Sequence, residues 1–333
     1  MQSTVPSRRF RWLRPLLIAL AAYALVIVAL MIWWDHEPAR FDVAQSAQAR
    51  LQPGQSLTTG YVTVATLIRS AESLLDKRGG YLSNDKLPPG VLMDNVPNWE
   101  FGVLTATRDL ARALRNDFSR SQSQSAEDKD LQEADPLFSS PNDRWLLPSS
   151  EGQYRKAIGL VERYAARLAD PGRSQAQFFA RADNLADYLQ VASGRLGSLS
   201  QRLSASVGQV RLETSLGDPG DGSAASSGPL LVKTPWLKID DNFYEARGYT
   251  WALREQLEAI AIDFGPVLRD KNAVASLEQV IRELEEAQHR VWSPMILNGS
   301  PYGFFANHSL VLANYVSRAN AALIELRTLL RRG

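Results

Sequence analysis

Hydrophobic residues form one unbroken run near the start of the chain and a helical pattern over most of the rest. The run from Leu16 to Trp34 is uncharged and long enough to cross a bilayer core of about 30 Å as a helix. Four arginines and no acidic residue precede it: Arg8, Arg9, Arg11 and Arg14. The positive-inside rule therefore places the N-terminus in the cytoplasm and residues beyond about 35 in the periplasm. A cleaved signal peptide is the alternative, disfavoured because the run is long and no small-residue cleavage site follows it.

After residue 57, apolar residues recur at three- and four-residue steps, which predicts amphipathic helices almost throughout. No segment shows convincing strand alternation, so we predict an all-α fold: a single transmembrane helix and a periplasmic helical bundle. A seven-residue apolar repeat from Phe178 predicts a long helix that packs against a long partner. The predicted divisions are a cytoplasmic N-terminus (1–15), a transmembrane helix (16–34), a juxtamembrane linker (35–57), a first helical half (58–212), a flexible linker (213–239) and a second helical half (240–333).

Two segments of the chain resemble each other. Residues 94–118 align without a gap on 240–264, and the matches that helical period alone does not explain include Gly102 with Gly248, Arg108 with Arg254, and Phe118 with Phe264. A second pair of segments aligns Ala192 with Ala319 and Leu196 with Leu323. We therefore predict two related halves about a pseudo-two-fold axis. Arg108 and Arg254, each followed by an acidic residue, are predicted to form matched structural ion pairs.

Composition narrows the function classes. The first 34 residues hold four of the 37 Lys and Arg and none of the 36 Asp and Glu, so the remainder carries 33 basic against 36 acidic residues, a net charge of −3. This near-balance argues against nucleic-acid binding. The chain has no cysteine, which excludes disulfides and thiol chemistry. Three histidines are too few for most transition-metal sites made only of protein ligands.

The segment from Trp292 to His308 is the least ordinary loop, because apolar and aromatic residues stand among proline and glycine. Burying its large side chains would contribute about 1.5–3 kcal/mol each, so we expect the loop to be ordered against the bundle. One interpretation is a plug that closes one end of the bundle. The other is a ligand pocket formed by five residues of this loop: Met295, Tyr302, Phe304, Asn307 and His308.

Two weaker patterns have ordinary explanations. Glu286 and His289 match half of a di-iron carboxylate–histidine motif, but the second half is missing, so an exposed pair on a charged helix is favoured. Asp240, Asp241 and Glu245, with Arg247, could serve as a carboxylate pair for hydrolysis of envelope glycans, but an N-cap and a first-turn acid explain the carboxylates more simply. We predict no catalytic residue, cofactor or metal site.

Several long strings carry a family resemblance: Pro-Asn-Trp-Glu-Phe-Gly at 97–102, Asp-Asp-x-Phe-Tyr-Glu-Ala-Arg-Gly at 240–248 and Ser-Pro-Met-Ile-Leu-Asn-Gly-Ser at 293–300. With them, the chain resembles an uncharacterised family of inner-membrane-anchored bacterial proteins, a domain of unknown function, over nearly its whole length. The resemblance implies a Gram-negative origin and a single N-terminal anchor. It implies no activity, ligand or catalytic residue.

The expected function is that of a binding, scaffold or assembly component of the cell envelope, anchored in the inner membrane. Its expected partners are the lipid bilayer, through Leu16 to Trp34, and another envelope protein; self-association stays open. The alternatives are a periplasmic enzyme acting on cell-wall or lipid material and a ligand-binding, sensor-like module. Exposed apolar surface would favour a binding or scaffold role with a partner protein. A polar, concave cluster of carboxylates or His308 would favour an enzyme.

Overall fold

The computed structural model describes residues 13–121, 126–170, 172, 176–212, 229–293 and 295–332. These ranges form eleven α-helices, which are α1 (Leu13–Trp34), α2 (Val43–Arg50), α3 (Tyr61–Asp76), α4 (Asn95–Ala113), α5 (Lys129–Phe138), α6 (Ser150–Leu168), α7 (Ala182–Ser204), α8 (Ile239–Asp263), α9 (Gly265–Asp270), α10 (Val274–Glu286) and α11 (His308–Arg331). A π-helical turn, Leu114–Phe118, extends α4. Single 3-10 turns occupy Gly90–Leu92, Ala205–Val207 and Trp236–Lys238. The predicted helical fold is confirmed.

Helix α1 stands apart from the bundle. Its 22 residues include no buried side chain, and it is the one described helix that is long and apolar enough to cross a membrane. At 1.5 Å per residue it measures about 33 Å, which matches a bilayer core. A helix that is long and apolar enough to span a membrane is therefore present where the sequence predicts one.

The segment after α1, predicted as a linker, is packed along the bundle. It contains α2, whose Val43 and Ala47 are buried, and Asp42 caps that helix by accepting a hydrogen bond from the Gln45 N–H at 2.8 Å. Phe41 contacts Trp251 of α8 edge to face, with ring centroids 6.0 Å apart. We call residues 35–60 the strap.

Helices α4 and α8 run parallel and form the centre of the bundle. The amide of Asn98 donates to Asp241 at 2.9 Å near their N-terminal ends, and the rings of Phe118 and Phe264 lie 5.3 Å apart at the other end. The helices cross at Gly102 and Gly248, where the two backbones touch. Small residues at this crossing allow the close approach.

Helices α7 and α11 form a long antiparallel pair, as the heptad pattern predicts for a helix with a long partner. The Ser193 hydroxyl donates to the Asn320 side-chain oxygen at 2.8 Å, and the Ser200 hydroxyl donates to the Ala313 carbonyl at 3.3 Å. Leu196, Leu199, Leu323 and Leu326 are buried along the helices. The pair lies against α8 through an ion pair between Arg202 and Glu245 at 2.6 Å.

Some boundaries differ from the sequence predictions. The sequence Ser-Ser-Glu-Gly-Gln at 149–153 predicts a capping box that starts at Ser150, whereas Ser149 caps α6 by accepting from the Gly152 N–H at 3.2 Å. Helix α8 begins at Ile239, so Asp240 and Asp241 stand in its first turn rather than at the N-cap. A short antiparallel hairpin pairs 209–212 (β1) with 229–232 (β2), although no strand was predicted. Most of the predicted flexible linker, residues 213–228, lies outside the described residues.

Candidate functional site

The loop between α10 and α11 folds back on itself as a short hairpin. The Gly299 N–H donates to the Ala306 carbonyl at 3.0 Å, and the His308 N–H donates to the Leu297 carbonyl at 3.0 Å. A Cβ at residue 299 would lie 2.1 Å from the Phe305 carbonyl oxygen, so glycine is required at this close approach. The backbone hydrogen bonds within the loop therefore stabilise much of its conformation.

Three of the five predicted ligand residues are on the outside of this hairpin. The exposed fractions of Met295, Tyr302 and Phe304 are 59%, 101% and 99%. The expectation that the loop's apolar side chains pack on the bundle is therefore wrong for these residues. The physical reason is the turn from Ser300 to Gly303, in which the Gly303 N–H donates to the Ser300 carbonyl at 2.8 Å. This turn directs the tip of the hairpin away from the helices.

Asn307 is buried, and its polar atoms are all used within the loop. Its side-chain oxygen accepts from the Leu310 N–H at 2.9 Å, which caps α11. Its amide nitrogen donates to Asn298 at 2.8 Å and to the Gly299 carbonyl at 2.7 Å. This geometry gives Asn307 a structural role as the point where the loop joins the helix.

His308, by contrast, lines a cavity. Its Nδ1 accepts from the Leu297 N–H at 3.0 Å, so the proton of the neutral ring is on Nε2. Burial lowers the pKa of His308 below its ordinary value, which favours this neutral form at pH 7. The ring therefore offers a hydrogen-bond donor to anything bound beside it.

The cavity beside His308 has a volume of about 390 Å³ and is lined by apolar, basic and acidic side chains, among them Phe243, Arg247, Glu286, Arg290, Trp292, Val311 and Tyr315. The Arg290 guanidinium stacks over the Trp292 ring, 4.4 Å from its centroid. An apolar cavity with convergent basic groups suits a small anionic or amphipathic molecule.

Arg247 joins this cavity to the segment that follows α1. Its guanidinium donates twice to the carboxylate of Glu37, just after α1, with both distances 2.7 Å. It also donates to the His289 carbonyl at 2.8 Å and to the Ala287 carbonyl at 3.3 Å. The sequence places Arg247 beside Asp240, Asp241 and Glu245 in the string at 240–248 but gives no sign of its pairing with Glu37.

A second buried charge pair lies under the loop that connects α3 to α4. Lys77 and Glu100 form an ion pair with both side chains almost fully buried. The Glu100 carboxylate also accepts from the N–H groups of Leu82 and Ser83, each at 2.8 Å. Burial raises the pKa of Glu100, and Lys77 opposes that shift. Glu100 is therefore the anchor point of the loop.

The two matched arginines have different partners. Arg254 forms ion pairs with Glu255 at 2.9 Å and with Glu258 at 2.7 Å. Arg108 instead donates to the carbonyl oxygens of Phe138 and Ser140, both at 2.7 Å. The expectation of an ion pair at Arg108 with contacts equivalent to those of Arg254 is wrong. The reason is that α5 ends beside Arg108, where its last residue and the turn after it present carbonyl oxygens.

A family model described as uncharacterized proteins conserved in bacteria, DUF2333, matches residues 6–333. The chain belongs to this family. The predicted resemblance to a family of unknown function is thereby confirmed, and the match covers both α1 and the helical bundle. No curated protein and no solved structure matches the chain. The function of this DUF2333 protein therefore has to be argued from its own geometry.

The buried acids of this DUF2333 protein serve helix packing. Asp263 accepts from the N–H and the hydroxyl of Thr63, both at 2.7 Å, and so holds the start of α3. Asp109 accepts from two nitrogens of Arg195 at 2.9 and 3.0 Å. Across the residues that the structure describes, no group of three His, Asp or Glu side chains is placed to hold a metal ion.

Proposed function

We propose that this protein is a binding, scaffold or assembly component of the bacterial cell envelope, anchored in the inner membrane by α1 with its helical bundle in the periplasm. The observation that carries the proposal is the tie between the strap and the core. Glu37 is held by Arg247, and Arg40 is paired with Glu285 at the end of α10. The point where α1 leaves the bundle is thus fixed, and the bundle is held at a set position beside the bilayer.

The periplasmic orientation is supported by the charges that flank α1. Four arginines precede the apolar run, whereas Asp35 and Glu37 follow it. A reporter enzyme that is active only outside the cytoplasm, fused after Gly333, is expected to be active in intact cells. When the four arginines are changed to glutamine, the reporter activity of the same fusion in intact cells should fall, because the charge difference that orients α1 is smaller. Activity from a cytoplasmic reporter alone would overturn the orientation.

Two related halves are also part of the proposal, supported by contacts between matched positions. A Cβ at Gly102 would lie 2.1 Å from the Glu245 carbonyl oxygen, and one at Gly248 would lie 2.0 Å from that of Trp99. Since the alignment pairs 102 with 248 and 99 with 245, these contacts are reciprocal. Reciprocal contacts are what a two-fold interface produces.

At the C-terminal ends of α4 and α8, Phe118 contacts its counterpart Phe264. A residue close to a two-fold axis contacts its own copy, so this contact also supports the relation between α4 and α8. The next pair of helices is arranged differently in the two proposed halves. Helix α7 runs antiparallel to α4, since Asn184 bonds Asp117 and Arg195 bonds Asp109, whereas α11 runs antiparallel to α7 and therefore parallel to α8. One two-fold axis thus relates α4 and α8 but not α7 and α11.

The binding role is tested by purification of the full-length protein from solubilised membranes, with quantitative mass spectrometry. We expect at least one envelope protein in a comparable molar amount, and we expect it to persist when α1 is replaced by an unrelated apolar helix. Purification of the protein alone under mild conditions, in both forms, would count against a scaffold.

A second candidate function, binding of a small anionic or amphipathic ligand, is favoured by the cavity beside His308. Val311 lines this cavity and is more than half exposed, so Val311→Trp should fill it at little cost to folding. Ile324→Trp, at another exposed site of α11, is the matched control. Native mass spectrometry should then find a bound molecule in the wild type and in the Ile324 variant, and none in the Val311 variant.

A further inference from the structure

Exposed apolar side chains are concentrated in four loops. Outside α1, the described residues include 19 large hydrophobic side chains that are exposed, and 13 of these lie in loops 77–94, 139–149, 233–238 and the hairpin loop at 287–293 and 295–307. The other six are scattered singly, as is normal for a protein surface. We call the four loops that hold the 13 side chains the four-loop rim. Among the described residues outside α1, the exposed tryptophans Trp145, Trp236 and Trp292 are all in this rim, one in each of three loops.

The rim lies at the end of the bundle from which α1 emerges. In loop 77–94, a Cβ at Gly79 would lie 2.7 Å from the ring of Trp34, the last residue of α1. In the hairpin loop, Arg290 and Ser293 line the same cavity as Asp35. Two loops of the rim therefore border the exit of α1 directly.

Hydrogen bonds tie the remaining loops to the same end. The Asn84 amide, in loop 77–94, donates to the Arg144 carbonyl of loop 139–149 at 2.8 Å. The Asn298 amide donates to the Ser206 carbonyl at 2.8 Å, and the Thr234 N–H donates to the Ala205 carbonyl at 3.0 Å. All four loops of the rim thus lie at the end of the bundle from which α1 emerges.

Each loop also carries an exposed basic residue next to its apolar side chains. Lys86 precedes Leu87, Arg144 precedes Trp145, Lys238 follows Leu237, and Arg290 lies two residues before Trp292. Aromatic and aliphatic side chains beside lysine or arginine are typical of protein surfaces that lie in a membrane interface. Asp85 and Asp143 precede two of these basic residues, so apolar contact rather than net charge has to dominate.

The position of α1 identifies what covers the rim. The headgroup layer on each side of a bilayer core is about 5–7 Å thick, and tryptophan at a helix end marks the boundary of the core. Since loop 77–94 touches the ring of Trp34, it lies within that layer when α1 spans the bilayer. We infer that the four-loop rim inserts its apolar side chains into the interfacial layer of the same bilayer that α1 crosses, on the side where the bundle lies. This inference rests on the membrane anchorage in the proposed function.

The chain has no cysteine, which makes site-directed spin labelling straightforward. Leu147→Cys, Trp236→Cys and Phe304→Cys report on three loops of the rim. Leu57→Cys and Ile262→Cys are matched controls, about half exposed and beside a shared cavity near the C-terminal end of α8, about 37 Å from its start. Ile18→Cys, within α1, reports whether the anchor is inserted.

The full-length labelled protein is reconstituted into vesicles of zwitterionic phospholipid with a minority of phosphatidylglycerol. The measurement is the collision rate of each label with dissolved oxygen and with a water-soluble nickel chelate. We expect the rim labels to show a several-fold lower ratio of nickel to oxygen collisions than the two controls, approaching that of Ile18→Cys. Vesicles without phosphatidylglycerol should give nearly the same result.

Rim labels as accessible to nickel as the controls, with Ile18→Cys deep in the bilayer, would overturn the inference while leaving the anchor and the scaffold role intact. Rim labels that are accessible in vesicles but shielded in native membranes would overturn it too, because a partner protein would then cover the rim. An aqueous Ile18→Cys would overturn the anchor itself.

Discussion

The crossing of α4 and α8 gives the sharpest stability prediction. Gly102→Ala would place a Cβ 2.1 Å from the Glu245 carbonyl oxygen and 2.5 Å from the Tyr249 nitrogen. Ordinary contact begins at about 3.4 Å, so the two helices have to separate by about 1 Å. Both obstructing atoms are backbone, which leaves no side-chain rotation that relieves the contact.

The expected cost follows from two opposing effects. Overpacking at a close-packed site costs about 1–3 kcal/mol and sometimes more, whereas alanine gains about 1 kcal/mol over glycine within a helix. Because a backbone shift is needed, we expect the free energy of unfolding to fall by about 2 kcal/mol or more. Gly248→Ala should behave in the same way, since its Cβ would lie 2.0 Å from the Trp99 carbonyl oxygen.

The measurement is urea unfolding of the purified full-length protein in detergent, followed by circular dichroism. Gly159→Ala in α6 and Gly194→Ala in α7 are matched controls, because a Cβ at either site meets nothing within 4 Å. They should be neutral or stabilising by up to about 1 kcal/mol. The double variant at the crossing should cost less than the sum of the single variants, because the helices separate only once. If the crossing variants are as stable as the controls, the close approach of α4 and α8 is refuted.

Three further predictions use the same unfolding assay. Lys77→Met should lower the free energy of unfolding by about 3–5 kcal/mol, because it leaves the Glu100 carboxylate buried without its cation; a loss below about 1 kcal/mol would contradict that burial. Burial raises the pKa of Glu255 to about 7, above the value of about 4.3 in an unfolded chain. The contribution of Glu255 to the stability of the folded state is therefore fully present below about pH 4 and is lost as pH rises through about 7. Glu255→Gln should therefore gain stability relative to the wild type between pH 5 and pH 8, and a difference that does not change with pH would refute this. Phe304→Ala should change stability by no more than about 0.5 kcal/mol, whereas Phe264→Ala, in the core, should cost about 3–5 kcal/mol.

Much of the helical architecture was predictable, because an amphipathic helix records its burial in its own sequence. The heptad positions of α7 and α11 and the matched glycines of α4 and α8 are local patterns with direct structural consequences. The charged partners were not predictable. Arg247 meets Glu37 across 210 positions of sequence, and nothing local to either residue identifies the other.

Helix α5 shows a different limit of sequence analysis. Its ten residues include Pro136, and the polar stretch at 119–135 has no apolar period, so the sequence favours neither a helix nor a linker there. Asp128 caps it, and Asp130 pairs with Arg163 and Arg167 of α6. The stability of α5 thus depends on contacts with another helix, which a one-dimensional pattern does not contain.

The apolar side chains at the tip of the hairpin loop at 287–293 and 295–307 are exposed, although its composition predicts burial within the protein. In the proposed membrane-anchored state the bilayer is a second apolar environment, and Trp34, the last residue of α1, marks its boundary. Lipid contact, as inferred above, removes the exposed ring of Phe304 and the other apolar side chains of its loop from water. The apolar composition of the loop is therefore consistent with its exposure on the protein surface. The two contacts that fix the strap, Glu37 with Arg247 and Arg40 with Glu285, then set which side of the bundle faces the lipid.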